Sequence, residues 1–214
     1  MSDAPAFFPV LVNLQGKNCL VIGAGKVAAA KIAGLLLYGA QVTVVSPRAV
    51  QVIRDLAKAG ALVWRQRSFS PLDVDGAFLT VAATNSAKIN GAVFRACAAR
   101  GVLCNAVDDP GRCNFIYPAV VRRGPLQIAI STTGRSPALA ARLRRELEVL
   151  FGPEWSEWVE HLGRLRRDLL GKKMCSAART RRLKQIASPE AFHAFVQERA
   201  NKQLTLPAGK LRRK

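Results

Sequence analysis

Histidine is almost missing from this chain: His161 and His193 are the only two, and no two of the five cysteines (Cys19, Cys97, Cys104, Cys113, Cys175) are spaced as C-x-x-C. Those spacings exclude the usual zinc sites, so no resident metal is expected. An odd, scattered set of cysteines is also no disulfide framework, and the thiols read as reduced, mostly buried small hydrophobes. No apolar stretch runs uninterrupted for the length a bilayer span requires. The opening MSDAPAFFPV has neither a basic n-region nor an apolar h-region. The expectation is a cytoplasmic protein with no membrane partner.

Acidic residues are scarce as well. There are 14 Asp and Glu against 33 Lys and Arg, a formal net charge of +19. The excess is uneven: residues 1–110 carry 11 basic and 6 acidic side chains, and residues 111–214 carry 22 and 8. A basic half implies an anionic partner, whether nucleic acid, an acidic membrane surface or a polyanionic small molecule. Nucleic-acid surfaces interleave aromatics with their basic residues. Here the clusters Arg142/Arg144/Arg145, Arg164/Arg166/Arg167 and Arg179/Arg181/Arg182 lie on helical-looking segments with few aromatics. Composition alone does not choose among the three partners. Pro207 to Lys214 reads as a frayed basic tail.

What is present is a globular composition, 50% hydrophobic and 22% charged, long enough to bury a core without staples. Cys19 to Ile22 is a short apolar run, followed by a glycine turn and an Ala/Leu-rich helix that stops at Gly39. Gln41 to Val45 is β-branched and strand-like. Ala49 to Ala59 has helical spacing, and Leu62 to Trp64 resumes a strand. Ala77 to Ala83 is the continuous apolar run of a strand buried on both faces. Ser86 caps a helix running to Arg100, and Val102 to Val107 forms a fifth strand. This alternation predicts an α/β, doubly wound parallel sheet (Rossmann-like) over residues 1–113.

After that the alternation breaks. Phe115 to Val121 and Leu126 to Ser131 read as two strands joined by a turn at Arg122 to Pro125. A helix follows with Ser136 as N-cap and Pro137 at its first position. Leu139, Leu143, Leu147 and Leu150 stripe that helix. The stripe is a buried face or a subunit contact; residues 114–150 are expected as a small α+β dimerisation region on the second reading, and residues 151–214 as a helical C-terminal domain with a basic tail.

Gly23-x-Gly25-x-x-Ala28 follows a strand and opens a helix, which is the dinucleotide fingerprint with Ala in its third place. The second glycine lets backbone approach a pyrophosphate, and the helix start offers free N–H groups. The acidic ribose ligand usual after the second strand is absent; Ser46-Pro47-Arg48 stands there. An arginine at that point tilts the choice toward the phosphorylated cofactor, although the proline alters the backbone path. Ligands bind at the carboxyl ends of such strands. Those ends carry Gly23 to Lys26, Ser46 to Arg48, Ala83-Thr84-Asn85 and Asn105 to Asp109. Asp108 is a candidate general base; the alternative is an ordinary turn, Asp108-Asp109-Pro110-Gly111.

Five segments together resemble a known family: Val21 to Ala28 with Lys31, Val81 to Asn85 with Asn90, Asn105 to Asp108, Phe115 to Pro118, and Ser131 to Pro137. In order and spacing the chain resembles the precorrin-2 dehydrogenase/sirohydrochlorin ferrochelatase family, over roughly residues 7–170. The resemblance implies oxidation of precorrin-2 to sirohydrochlorin with NAD, then insertion of ferrous iron as a substrate. It implies cofactor contacts at Gly23, Gly25, Lys26, Val27, Pro47, Arg48, Thr84 and Asn85, with NAD favoured over its phosphorylated form. Asp108 is the implied catalytic residue. Asn105, Thr132, Gly134 and Ser136 fall in the tetrapyrrole motifs, and Thr132 stands where some members carry a phosphorylatable serine. Arg112, Arg135 and Arg142 are added as carboxylate clamps on chemical grounds alone, since guanidinium matches carboxylate bidentately. The polycarboxylate substrate accounts for the basic half without nucleic acid, and family members are homodimers. Two other readings stand beside this one: a dehydrogenase without chelatase activity, and a nucleotide-sensing, nucleic-acid-binding regulator.

Overall fold

The computed structural model describes residues 7–204; the basic tail from Pro207 lies outside them. The described residues form two compact units, divided between Tyr117 and Pro118. That division falls a little beyond the expected 113/114 boundary, and segments 114–150 and 151–214 share most of the second unit.

The first unit alternates β1 (Asn18–Ile22), α1 (Lys26–Leu37), β2 (Gln41–Val45), α2 (Gln51–Lys58), β3 (Val63–Arg65), β4 (Leu79–Ala82), α3 (Ala87–Ala98) and β5 (Leu103–Ala106). All five strands are parallel, in the order β3-β2-β1-β4-β5. Side chains alternate across a strand, so each strand feeds two cores. Val21, Val44 and Val81 pack with Ile32 and Leu35 of α1 and Ile53 of α2. Leu20, Ile22, Val45, Ala82 and Cys104 pack with Val93, Ala96 and Cys97 of α3. Helices thus cover both faces, which explains why β4 is buried at all four positions and reads as an unbroken apolar run. The strand order reverses between β1 and β4, and the carboxyl ends there form the ligand edge of such sheets. The doubly wound sheet expected from the alternation is borne out.

The second unit begins with an antiparallel hairpin, β6 (Ala119–Arg123) and β7 (Leu126–Ile130). The first of these strands was expected to start at Phe115. Phe115 to Pro118 is instead an extended connector: the Asn105 side-chain amide donates to the Phe115 carbonyl at 3.0 Å, and the Phe115 ring packs on the α1-side core. The turn is only Gly124-Pro125, since Arg122 and Arg123 pair with Gln127 and Leu126. Helices α4 (Pro137–Leu150), α5 (Glu154–Leu170), α6 (Ser176–Ile186) and α7 (Pro189–Leu204) complete the unit. The Ser136 hydroxyl accepts from the Leu139 N–H at 3.2 Å, the expected N-cap of α4. Arg123 donates to the carbonyls of Glu148 and Phe151 at the other end of α4, where cations suit the helix dipole. Trp155, Trp158, Phe192 and Phe195 stack between α5 and α7.

A buried carboxylate holds the segment between β3 and β4. Asp73, with a side chain only 2% exposed, accepts from Arg67, from Arg65 at 3.3 Å and from the Ser70 N–H at 2.9 Å. Hydrogen bonds from Arg67 above all, then from Ser70 and Arg65, hold its carboxyl below the ordinary carboxylate value against the opposing effect of burial. A carboxylate depressed in the folded state stabilises fully above its unfolded pKa, and that stability is lost as pH falls through the folded value. Asp73→Asn should therefore lower stability at neutral pH by about 1–3 kcal/mol. Denaturant unfolding at several pH values should also show a shallower acid loss in the variant than in the wild type.

Candidate functional site

Gly23 begins the site. Its φ is +101°, its N–H donates to the Val45 carbonyl at 3.0 Å, and a Cβ there would lie 2.8 Å from the Ala83 carbonyl carbon and 3.2 Å from Thr84 Cγ2. Only glycine lets β1 turn this close to the end of β4. Gly25 differs: its φ is −85°, it is the N-cap of α1 with no side-chain cap, and a Cβ on it would meet nothing within 4 Å. The protein leaves open space where the fingerprint's second glycine admits a pyrophosphate. Lys26 and Val27 are exposed on the first turn of α1, where helix N–H groups lack intrahelical partners. Ala28 is fully buried, as the close helix–strand packing of the third position demands. These residues fit a dinucleotide.

The neighbouring strand ends are held by short-range bonds. After β2, the Ser46 hydroxyl donates to the Arg48 carbonyl at 2.7 Å, closing the turn that leaves Pro47 and Arg48 exposed. The Val50 N–H donates to the Ala24 carbonyl at 3.0 Å, tying that turn to the glycine loop. After β4, the Thr84 hydroxyl donates to Asn90 Oδ1 at 2.7 Å, and Asn90 Nδ2 returns a bond to the Thr84 carbonyl at 3.0 Å. Buried Asn90 thereby shapes the Thr84-Asn85 loop and leaves Asn85 exposed. The sequence reading placed Asn90 in a motif and gave it no role.

After β5 the two aspartates part company. The Val107 N–H donates to the Ala82 carbonyl at 2.9 Å, and Asp108 then takes φ +61°, a left-handed conformation that Asp tolerates better than most residues. Its side chain is exposed. Asp109 instead pairs with Arg112 at 3.0 Å, and its carbonyl accepts the Arg112 N–H at 3.0 Å. Arg112 also donates to the Ala87 carbonyl at 3.2 Å. Its guanidinium therefore ties the turn to the start of α3. Asn105 is buried, and its amide is spent on Phe115 and on Cys113 Sγ at 3.4 Å. It positions the 113–115 segment.

Two further side chains join this edge. Lys31, one turn beyond the glycine loop, sets its Nζ over the Tyr117 ring, 4.0 Å from the centroid. Tyr117 in turn meets Phe115 edge-on at 5.4 Å. Burial draws the Lys31 ammonium below the ordinary lysine value, and the charge of Asp108 pulls it back. Burial pushes the Tyr117 phenol upward. The signal for Lys31 was a lone cation inside an otherwise apolar stretch of helix.

Thr132, Gly134, Arg135, Ser136 and Arg142 lie in the second unit. The Ser136 N–H donates to the Thr132 hydroxyl at 3.0 Å, and the Arg135 N–H to the Thr132 carbonyl at 3.0 Å. Thr133 at φ +52° and Gly134 at φ +80° wind this loop onto α4. Arg135 is exposed, and Arg142 pairs with Glu146 at 3.2 Å across one helical turn. Among the described residues no group of three or more His, Cys, Asp or Glu is placed to hold a metal ion. No helix among them is long and apolar enough to cross a membrane.

The two glycines separate fold from binding. Gly23→Ala should cost about 2–4 kcal/mol through backbone strain and overlap with Ala83. Gly25→Val should leave the apo melting temperature nearly unchanged and abolish the shift that added dinucleotide produces. Thermal denaturation with and without NAD checks both.

Comparison with known proteins agrees with this geometry. Residues 10–119 match the family described as "Putative NAD(P)-binding", and residues 123–150 match the central segment of sirohaem biosynthesis proteins. The siroheme synthase of Nitrosococcus oceani is 35% identical over 177 residues, covering 83% of this chain and 37% of that protein. Siroheme synthase 1 of Yersinia enterocolitica is 41% identical over 160 residues, covering 75% and 34%. The chain thus spans little more than a third of the length of these curated relatives. The solved structure of SirC, precorrin-2 dehydrogenase, has a TM-score of 0.77 at 26% identity and covers 92% of this chain and 98% of that one. The first match takes in half of the chain, and the chain belongs to the family described as "Putative NAD(P)-binding", here followed by a segment of the sirohaem biosynthesis central type.

Proposed function

We propose that this chain oxidises precorrin-2 to sirohydrochlorin with NAD, and that ferrous iron then enters the product at the same site. The observation that carries the reading is Asp108: an exposed carboxylate with no hydrogen-bond or ion-pair partner among the described residues, on the edge that carries the open glycine loop. The structural likeness to a precorrin-2 dehydrogenase over nearly all of both chains supports the dehydrogenation. The siroheme synthase relatives support the pathway.

Gly23, Gly25, Lys26 and Val27 would hold the pyrophosphate, with Pro47, Arg48, Thr84 and Asn85 around it. NAD, when bound, supplies the hydride acceptor. Desaturating the macrocycle removes one hydride and one proton, and Asp108 takes the proton. Iron insertion displaces the pyrrole N–H protons, so the same carboxylate serves as acceptor a second time. Exposure suits this double use, because protons pass directly to water between the two reactions. Thr132, Gly134, Arg135, Ser136 and Arg142 are the proposed tetrapyrrole contacts of the second unit. NAD is proposed over its phosphorylated form because the family resemblance implies it, although Arg48 stands exposed in the turn after β2.

Residues 114–150 are proposed as the dimerisation region of a homodimer. Along α4, Leu139 and Leu150 are left 37% and 67% exposed, and Leu143 and Leu147 are half-buried. A second copy of the same stripe is the self-complementary surface a two-fold interface uses. Sedimentation at micromolar concentration should give a dimer, and Leu143→Glu with Leu147→Glu should give a monomer.

The decisive test compares the adjacent aspartates. Asp108→Asn keeps size and accepts no proton, so both precorrin-2 oxidation and metal insertion should fall on the order of a hundredfold. Asp109→Ala removes a turn contact only and should keep most of both rates. Absorption spectra of purified protein with precorrin-2 and NAD, then ferrous or cobaltous ion, report the two steps separately. Full rates in Asp108→Asn would remove this residue from the mechanism. DNA binding with a steep salt dependence, with no tetrapyrrole turnover in the wild type, would favour the regulator reading.

A further inference from the structure

Lys31 carries a charge that the fold does not neutralise by contact. It is half-buried on the second turn of α1, and among the described residues its ammonium makes no hydrogen bond and no ion pair within 4 Å. Its ammonium lies over the face of the Tyr117 ring, with the centroid 4.0 Å away. A ring face attracts a cation but accepts none of its N–H donors in the way an oxygen does. Desolvating an ammonium without an acceptor is costly, and a lysine free to reach water would be expected to swing outward. Tyr117, itself braced by Phe115, holds the ammonium in place instead. Asp108, after β5, acts on it electrostatically without touching it. A cation held on an aromatic face and an exposed anion therefore stand in the first unit, and neither has an ion-pair partner among the described residues.

We infer that Lys31 is a substrate-recognition residue that takes a peripheral carboxylate of the tetrapyrrole and sets the macrocycle edge over Asp108. A carboxylate supplies the acceptor that the Tyr117 ring cannot. An acidic side arm held by Lys31 also fixes which ring of the macrocycle lies beside the base, and this is how remote binding energy is turned into orientation. The role differs from that of Arg112, whose guanidinium is occupied by Asp109 and Ala87. It also needs nothing from the cofactor turn, since Lys31 lies beyond the residues placed around the pyrophosphate. This inference rests on the tetrapyrrole reading above and names one of its binding contacts.

The test uses the full chain with Lys31→Met, which keeps an unbranched apolar stem against Tyr117 and removes the charge, and Lys31→Arg, which restores it. Lys58→Met, at the exposed end of α2, is the control. Three quantities are read: KM and kcat with precorrin-2, the dissociation constant for NAD, and quenching of intrinsic fluorescence by uroporphyrin and by its uncharged octamethyl ester. Lys31→Met should raise KM and weaken uroporphyrin binding by about 10–100-fold, the worth of a hydrogen bond to a charged group. Its kcat should fall as well, by about tenfold or more, because the reacting ring is no longer held over Asp108; its NAD affinity should change less than about threefold, and Lys31→Arg should recover most of the loss. Binding of the ester should be weak and equal in the wild type and Lys31→Met. Unchanged KM and uroporphyrin affinity in Lys31→Met, with a lower melting temperature only, would overturn the inference and leave Lys31 a packing residue. Equal loss of NAD affinity would do the same. Wild-type protein that does not oxidise precorrin-2 would overturn the tetrapyrrole reading itself, and this inference with it.

Discussion

The turn from β1 to α1 presses its backbone against the end of β4, and the functional edge of the first unit is arranged around that contact. Gly23 sits so near the Ala83 carbonyl that no side chain fits. Because β1 is central, with β2 on one side and β4 on the other, a shift there would move three strand ends together. The same approach brings the Val45 carbonyl to the Gly23 N–H, and the Ala83 N–H to the Ile22 carbonyl at 2.8 Å. One strand further, the Val107 N–H reaches the Ala82 carbonyl and delivers Asp108 to the edge. Cofactor loop and candidate base are thus linked by a short ladder of backbone bonds, which is stiffer than any arrangement of surface side chains.

Part of the charge in this chain is engaged within the fold. The second unit is strongly basic, yet Arg123 caps α4 through two carbonyls, Arg144 pairs with Glu148, Arg142 with Glu146 and Arg199 with Glu157. In the first unit Arg65 and Arg67 are drawn to Asp73, Arg100 to Asp75 and Arg112 to Asp109. Pairs of this kind on exposed side chains contribute little to stability. Their consequence is local: they engage particular arginines, while most of the basic side chains make no ion pair among the described residues. Asp108 and Lys31 stand out by position instead, an exposed carboxylate after β5 and an ammonium held over the Tyr117 ring, and counting charges distinguishes neither.

The alternation of apolar strands with Ala/Leu-rich helices, the G-x-G-x-x-A turn and the Ser136-Pro137 helix start were all legible in the amino-acid order. Each is a local pattern whose physics acts within a few residues: period-two burial, a glycine at positive φ, a hydroxyl capping a free N–H. What the order did not reveal is how side chains distant in sequence divide the work. Phe115 to Pro118 has strand-forming residues, but a bond from Asn105 ten positions earlier holds it as a connector. Arg112 matches a carboxylate clamp by chemistry, and the fold turns it onto its own backbone. Asp108 and Asp109 are identical neighbours in the sequence; a left-handed backbone frees one, and an arginine three residues on engages the other. Lys31 and Tyr117, from a helix and a connector eighty-odd residues apart, meet only once the sheet has formed. Local chemistry determined the elements and the cofactor turn; the tertiary structure alone decided which charges stay unpaired, because pairing depends on distance in space.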